Sequence, residues 1–255
     1  MLEAQQKLRD LFNSIVSDEK TRSEFNLFDT SVSQKLWSTR YYFDELKDLN
    51  TEKYPKNYLV LPHQDDTQST NDPTTNQPSL MDMPSYCLDL SRILDGFFMN
   101  SMSVLDTLAH LISTVYYFPP EEFKYKNEDR IYILGIKKAL PKYHPNSEIE
   151  VLLDKRLKQD WFTEFAPFRH CTTHESLIPY DVNLGYDFIN KRWHPPEIRL
   201  ADNPQIRPPQ QPRNREAISF CQTIFDNIES LLNEVYEAIR LDIQNNNNNL
   251  IIGKP

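Results

Sequence analysis

The chain has 255 residues and a formal net charge of −9, and 39% of its residues are hydrophobic. This composition suits a globular protein and argues against a diffuse affinity for nucleic acids. The chain contains four glycines, which are too far apart to form the phosphate-binding loops of P-loop or dinucleotide-binding proteins, so both classes are excluded. Its three cysteines are also scattered, which excludes zinc ribbons and fits a reducing compartment.

The sequence also lacks the usual targeting signals. Residues 1–10 do not contain the apolar stretch of a signal peptide, and no apolar run reaches the roughly 18 residues that a membrane-spanning helix needs. We therefore expect a cytoplasmic protein that has no membrane association.

The N-terminal third predicts two helices and a long loop. Apolar side chains at helical spacing indicate a helix over residues 2–16. A second helix is expected to begin after Ser31 or Ser33, which places both helices within residues 1–50. Residues 51–84 are rich in Pro, Asn, Thr, Asp and Gln, which predicts a long loop.

The strongest helical pattern lies over residues 85–118 and ends at two consecutive prolines. Beside its apolar face lies a half-polar stripe that includes Asp95, Asp106 and His110. Such a stripe could line a groove between helices, or it could be a solvated flank. The piece Ile131–Leu134 that follows is apolar and could be helix or strand.

The C-terminal half predicts two more long helical segments. Asn146 and Ser147 offer an N-cap for a helix over 148–160 that continues, with a kink at Pro167, to residue 177. Residues 178–213 form a proline-rich insertion, in which Val182–Trp193 is expected to give a short hairpin. A final helix is expected over 214–243.

These elements predict an all-α protein, an antiparallel helical bundle with extra N-terminal helices and long proline-rich loops. The three segments 85–118, 148–177 and 214–243 are long enough to form its core. We expect a single helical domain over 1–244 and a flexible, asparagine-rich tail over 245–255.

One cluster of residues could carry chemistry: Arg169-His170-Cys171-Thr172-Thr173-His174. On a helix, His170 and His174 share a face and Arg169 is adjacent to it. A guanidinium binds phosphate through its planar fork, and imidazoles give or take a proton near neutral pH. Together they could hold a phosphodiester and promote attack by an RNA 2′-hydroxyl on the adjacent phosphorus, without a metal or another cofactor.

This segment resembles the R-polar-x3-H motif of the HEPN superfamily of helical ribonucleases, and the resemblance extends over roughly 85–243. It implies that Arg169 and His174 are catalytic and that His170 orients or assists them. It also implies a two-fold homodimer in which two motif helices build one composite site. The additional helices and the insertion match uncharacterised bacterial members better than the short toxins.

The implied function is a metal-independent endoribonuclease that acts as a toxin or in phage defence or stress responses. Its partners would be RNA, a second copy of the chain and an antitoxin or regulator that the sequence does not identify. Lys155, Arg156 and Lys158 are candidates for guiding RNA to the site, and Asp106 and His110 for lining it.

Four other interpretations remain open. In a purely structural one, Arg169 pairs with Glu164 or Glu175, and the histidines cap helices or satisfy the core. In a second, the chain is a catalytically silent HEPN-like module that binds a protein or nucleotide partner, which the acidic net charge favours. In a third, His110, His170 and His174 hold a metal ion and leave an open position for water. In a fourth, Cys171 acts as a nucleophile, although a helical cysteine more often serves packing.

The aromatic side chains that precede the motif are expected to build the core or a dimer interface rather than to stack on bases: Trp161, Phe162, Phe165 and Phe168.

Overall fold

The computed structural model describes residues 3–50, 59–60, 80–81, 83–119, 121–125, 128–129, 131–174, 178–187, 189, 192–205 and 213–245. Most of the expected 51–84 loop and most of the expected tail lie outside these residues. The described part is mostly helical, as the sequence predicts. Its helices are α1 (Glu3–Ile15), α2 (Glu19–Leu49), α3 (Met83–Val115), α4 (Ile133–Tyr143), α5 (Glu148–Arg156), α6 (Asp160–His174) and α7 (Ala217–Asn245).

Helix α2 corrects the prediction that the second helix begins after Ser31 or Ser33. It begins at Glu19, and the side chain of Asp18 caps it by accepting a 2.8 Å hydrogen bond from the amide of Thr21. The additional N-terminal turns bury Phe25 and Asp29. Among the described helices, α2 and α3 form the most extensive contact, so α2 belongs to the centre of the bundle rather than being an addition to it.

The segment expected to be one long helix over 148–177 is two helices. The hydroxyl of Ser147 caps α5 by accepting from the amide of Glu150, and α5 ends at Arg156. A turn over 157–159 then redirects the chain before α6 begins at Asp160. Pro167 lies inside α6. The ambiguous piece Ile131–Leu134 contributes the start of helix α4.

Short strands accompany the helices, and the largest of the described sheets is formed by the proline-rich insertion and the residues directly after it. Its strands, β5 (Tyr180–Asn183), β8 (Glu197–Leu200) and β9 (Arg215–Glu216), are antiparallel in the order β5-β8-β9. The expected hairpin appears as β6 (Tyr186–Asp187) paired with β7 (Arg192–Trp193). Two further antiparallel pairs are β1 (Leu59–Val60) with β2 (Leu80–Met81), and β3 (Lys124–Tyr125) with β4 (Glu128–Asp129).

Helix α3 lies in the middle of the core and contacts α2, α4, α6 and α7. The ring of Phe98 on α3 stacks on Phe168 of α6 with 4.5 Å between the ring centroids, and Phe97 packs against Phe43 of α2. All four aromatic residues that precede the motif are buried within this chain, which confirms that they belong to the core: Trp161, Phe162, Phe165 and Phe168.

Within the described part of the chain, none of the helices combines the length and the apolar character that crossing a bilayer requires.

Candidate active site at the end of helix α6

The Arg-His motif occupies the last turns of α6. The backbone is helical through His174, so the helical setting that the motif requires is present. Phe165, Phe168 and Cys171 are buried and attach this helix to the core. The helical repeat puts position 170 on the opposite side of α6 from Phe168, whereas position 174 lies one turn after Cys171. The side chains of Arg169, His170 and His174 lie outside the described part of the structure.

The burial of Cys171 bears on its chemistry, because 1% of the residue is exposed. A buried cysteine packed inside a helix behaves as a small apolar side chain. This placement favours the packing interpretation over nucleophilic catalysis.

The end of α6 lies beside the N-terminal half of α3. Phe168 stacks on Phe98 before the motif, and the amide of Ile178 faces the carboxylate of Asp95 after it. The chain then continues toward the start of α3, where the hydroxyl of Tyr180 donates a 2.7 Å hydrogen bond to the carbonyl oxygen of Cys87. The motif is therefore bracketed by contacts to the part of α3 around Asp95 and Phe98.

The structure places a titratable group, Asp95, beside the segment that follows the motif. It is partly buried, and its Oδ1 is buried without a hydrogen-bond partner among the described residues. Burial raises the pKa of Asp95 above its usual value, and the Ile178 amide opposes this shift. The sequence shows Asp95 on the half-polar stripe of α3, but nothing in the sequence shows that residue 178 returns to it.

A second polar contact next to Asp95 joins the insertion to the bundle. The hydroxyls of Ser91 on α3 and Tyr180 on β5 are 2.9 Å apart and share a hydrogen bond. On the other side of β5, Arg213 donates a 3.0 Å hydrogen bond to the carbonyl oxygen of Tyr180. These bonds hold β5 in place and thereby fix where the chain leaves the motif.

The structure does not bring Asp106 and His110 to the end of α6. His110 lies twelve residues after Phe98 on α3, which corresponds to about 18 Å along the helix, in the direction away from Asp95. Its ring stacks on Phe28 of α2 with 5.1 Å between centroids. Together with residues such as Thr21 it lines a separate cavity of about 460 Å³. Burial lowers the pKa of His110, and the nearby Asp106 opposes this shift.

This placement of His110 does not support a three-histidine metal site. Such a site needs the His110 ring within about 5 Å of the motif, because Zn–N bonds are about 2.0–2.1 Å long. Phe168 and Ile178, which flank the motif, contact α3 three or more turns away from His110. No group of three or more His, Cys, Asp or Glu side chains that could hold a metal ion occurs in the described part of the chain.

The candidate RNA-guiding residues lie at the end of α5 and in the turn that follows it, before the start of α6, whereas the motif is at the end of α6. The Arg156 side chain is 12% exposed, donates a 3.3 Å hydrogen bond to the carbonyl oxygen of Asn227, and lies 3.7 Å from Glu234. It therefore attaches α5 to α7. Lys158 forms an ion pair of 2.7 Å with Asp154, whereas Lys155 is exposed.

The structure also bears on the partners suggested for Arg169. Glu164 forms an ion pair with Arg215, whose guanidinium lies 4.2 Å from the ring centroid of Phe220 on α7. Glu164 is thus engaged with a residue of β9, directly after the insertion. Glu175, the other suggested partner, lies outside the described residues.

Comparisons of the chain with protein-family models, with curated proteins and with solved structures found no match. The features that bear on function are therefore the helical placement of the motif and the polar groups of Asp95, Ser91 and Tyr180 beside it.

Proposed function

We propose that the chain is a metal-independent endoribonuclease of the HEPN type, with Arg169 and His174 as its catalytic pair. The observation that supports this most is the position of the R-H-x3-H sequence on the last turns of α6, a helix attached to the core by Phe168. A site carried by a well-packed helix keeps its groups in a defined relative geometry, which acid–base catalysis requires.

In the proposed mechanism, Arg169 binds the scissile phosphate and stabilises the charge that develops on its oxygens. The RNA 2′-oxygen attacks the adjacent phosphorus, so the O2′–P bond forms as the bond to the 5′-oxygen breaks. His174 transfers protons between the 2′-hydroxyl and the leaving 5′-oxygen, and His170 orients it. The products are a 2′,3′-cyclic phosphate and a 5′-hydroxyl.

The proposed active unit is a two-fold homodimer in which the ends of two α6 helices face each other. Two like-charged motifs repel each other unless an anion lies between them, and the RNA phosphate supplies that anion. A toxin, or a nuclease of phage defence or stress responses under the control of a partner, would use such a site.

The test is cleavage of mixed RNA by the purified protein in EDTA, with Arg169→Ala and His174→Ala as the active-site variants. Thr163→Ala, an exposed change near the start of α6, is the matched control. We expect the wild type and the control to leave 2′,3′-cyclic phosphate ends, and each active-site variant to lose activity by about 100-fold or more. Cleavage that survives both active-site changes would contradict the proposal.

The second candidate is a catalytically silent HEPN-like module that binds a protein or nucleotide partner. The net charge of −9 favours it, as does the engagement of Arg156 and Lys158 in contacts within the chain, because both reduce the basic surface available to RNA. Absence of cleavage by a folded, dimeric wild type would favour this function.

A further inference from the structure

A groove between α1, α2 and α7 forms a second site, built from none of the motif residues. Its volume is about 510 Å³, which falls within the range of about 300–1,000 Å³ that is typical of small-molecule sites. The residues on which its binding chemistry depends are Gln5, Ser33, Trp37, Phe225, Glu229 and Tyr236.

The walls of the groove present flat aromatic surface. Trp37 is 70% exposed, an unusual state for the largest apolar side chain. On α7, opposite α2, the ring of Phe225 is covered by the guanidinium of Arg40, which lies 5.3 Å from the ring centroid. Arg40 also forms an ion pair of 3.1 Å with Asp44. The Arg40 charge is therefore already compensated, and the indole of Trp37 is the surface left for a planar ring to stack on.

The deep end of the groove holds an unused hydrogen-bond donor. Tyr236 is fully buried, and its hydroxyl lies beside the Asp29 carboxylate without making a hydrogen bond of good geometry to any described residue. Burial, reinforced by the nearby Asp29 carboxylate, raises the pKa of Tyr236 well above its usual value, so the hydroxyl keeps its proton. The adjacent Gln5 amide is already used, because it donates to Asp29 and to Ser33 at 2.7 Å each.

A buried polar group without a partner costs free energy, and an acceptor on a ligand would remove that cost. Asp29, beside the hydroxyl, already pairs with Arg9, so that cation is not available to a negatively charged acceptor at this end. The Tyr236 hydroxyl therefore selects a neutral acceptor such as a hydroxyl or carbonyl oxygen.

The outer end of the groove is negative. Glu229 precedes Tyr236 by seven residues on the same face of α7, which corresponds to about 10 Å along the helix. Its carboxylate forms no hydrogen bond or ion pair with any residue that the structure describes. The other acid at this end, Asp44, is compensated by Arg40 and by Lys47 at 2.6 Å. Glu229 is thus the group available to a cation.

We propose that this groove binds an arylalkylamine about 10 Å long. Its ring would lie against Trp37, its ammonium group at Glu229 and a neutral hydrogen-bond acceptor at the Tyr236 hydroxyl. The site is independent of the ribonuclease activity proposed above. It would give the chain a small-molecule ligand in addition to any nucleic acid.

The first test compares two probes of the same shape and opposite charge, tyramine and 3-(4-hydroxyphenyl)propionate, by titration calorimetry on the full chain. We expect tyramine to bind at least about tenfold more tightly than the carboxylate, because only the amine pairs with Glu229. Glu229→Gln should abolish this preference, and Asp226→Asn, an exposed change on the same helix, should preserve it.

The second test concerns the deep end and uses phenethylamine, which lacks the hydroxyl of tyramine. Wild-type protein should prefer tyramine, and Tyr236→Phe should bind both amines equally. The melting temperature of each variant reports whether it is folded. Failure of tyramine to bind the folded wild type, equal affinity for both charged probes, or a charge preference that survives Glu229→Gln would each overturn the proposal.

Discussion

The hydroxyl of Tyr116, at the end of α3, donates a 2.6 Å hydrogen bond to Oδ2 of Asp242 on α7, across 126 positions of sequence. The same buried carboxylate accepts hydrogen bonds from the amides of Glu148 at 2.9 Å and Ile149 at 3.2 Å. These amides are at the start of α5, where backbone donors have no partners within the helix. One carboxylate therefore connects α3 and α7 and caps α5.

Asp242→Ala is expected to lower the free energy of unfolding by about 3 kcal/mol, because it leaves three donors, two of them buried, without their charged acceptor. Tyr116→Phe removes one of these bonds and should cost about 1 kcal/mol. Urea unfolding measures both changes. Since the two residues are in contact, the double variant should be less destabilised than the sum of the single variants. An additive result would show that the bond contributes nothing.

Replacing two helical glycines by alanine is expected to change stability in opposite directions. A methyl group at Gly96 of α3 would overlap the ring of Tyr42 on α2, so Gly96→Ala should destabilise the protein by about 1–3 kcal/mol. At Gly135 of α4 the closest neighbour is the Tyr132 ring at 3.6 Å, which is ordinary contact. Gly135→Ala should therefore stabilise the protein by about 0.5–1 kcal/mol, through helix propensity.

The cause of the Gly96 effect can be separated from a backbone effect. In a Tyr42→Ala background the overlap is absent, so Gly96→Ala should become neutral or stabilising. Thermal and urea melts of the four combinations give the coupling. A penalty that persists without the Tyr42 ring would contradict the proposed overlap.

The ion pair between Arg9 of α1 and Asp29 of α2 is expected to be sensitive to loss of one partner. Asp29 is fully buried and accepts a 2.6 Å hydrogen bond from Nε of Arg9. Arg9→Met would leave this carboxylate without its cation and should cost about 3 kcal/mol. Arg9→Met combined with Asp29→Asn should recover part of this loss in urea unfolding, because the buried charge is then gone.

His110 is expected to make stability depend on pH. Burial holds its pKa below 6.5 in the folded state, so the unfolded chain binds a proton more readily in that range. The free energy of unfolding should therefore decrease as the pH falls below about 6.5. His110→Phe keeps a ring against Phe28, and its free energy of unfolding should lack this contribution to the pH dependence. Identical slopes for the wild type and the variant between pH 5 and 7 would contradict the expectation.

Asp95 is expected to make stability depend on pH in the opposite direction. Its pKa is raised in the folded state, so the folded chain binds the proton more tightly and stability decreases as the pH rises above about 4. Asp95→Asn should therefore be more stable than the wild type at neutral pH, with a difference that shrinks toward pH 4. If Asp95 contributes to the site at the end of α6, the same variant should cleave RNA more slowly despite its higher stability. Parallel melts and cleavage assays separate the two effects.

The long helices could be predicted because their apolar faces repeat at helical spacing, as α3 and α7 show. The start of α2 was missed because its first turns are polar and its cap, Asp18, lies 13 residues before Ser31. The break between α5 and α6 contains neither glycine nor proline, so no local signal marks it.

Only the part of the candidate site that is contiguous in sequence could be predicted. The motif from Arg169 to His174 is contiguous, and its helical setting followed from the pattern of the sequence. The contact of Tyr180 with Ser91 joins residues 89 positions apart, and no periodicity reveals it. The same holds for β9, whose residue Arg215 pairs with Leu200 across most of a proline-rich segment.

The packing of α1 against α7 has a consequence for how the protein is made. Gln5 and Tyr236 line the same groove, so the first described helix reaches its native partner only after α7 has been synthesised. At about 5–20 residues per second, the ribosome needs roughly ten to fifty seconds to cover that interval. During this time the apolar face of α1, which includes Leu8, lacks the helix α7, although Phe12 can already stack on Phe25 of α2, with 4.0 Å between the ring centroids. Until α7 emerges, the nascent chain therefore offers chaperones an apolar binding segment in α1.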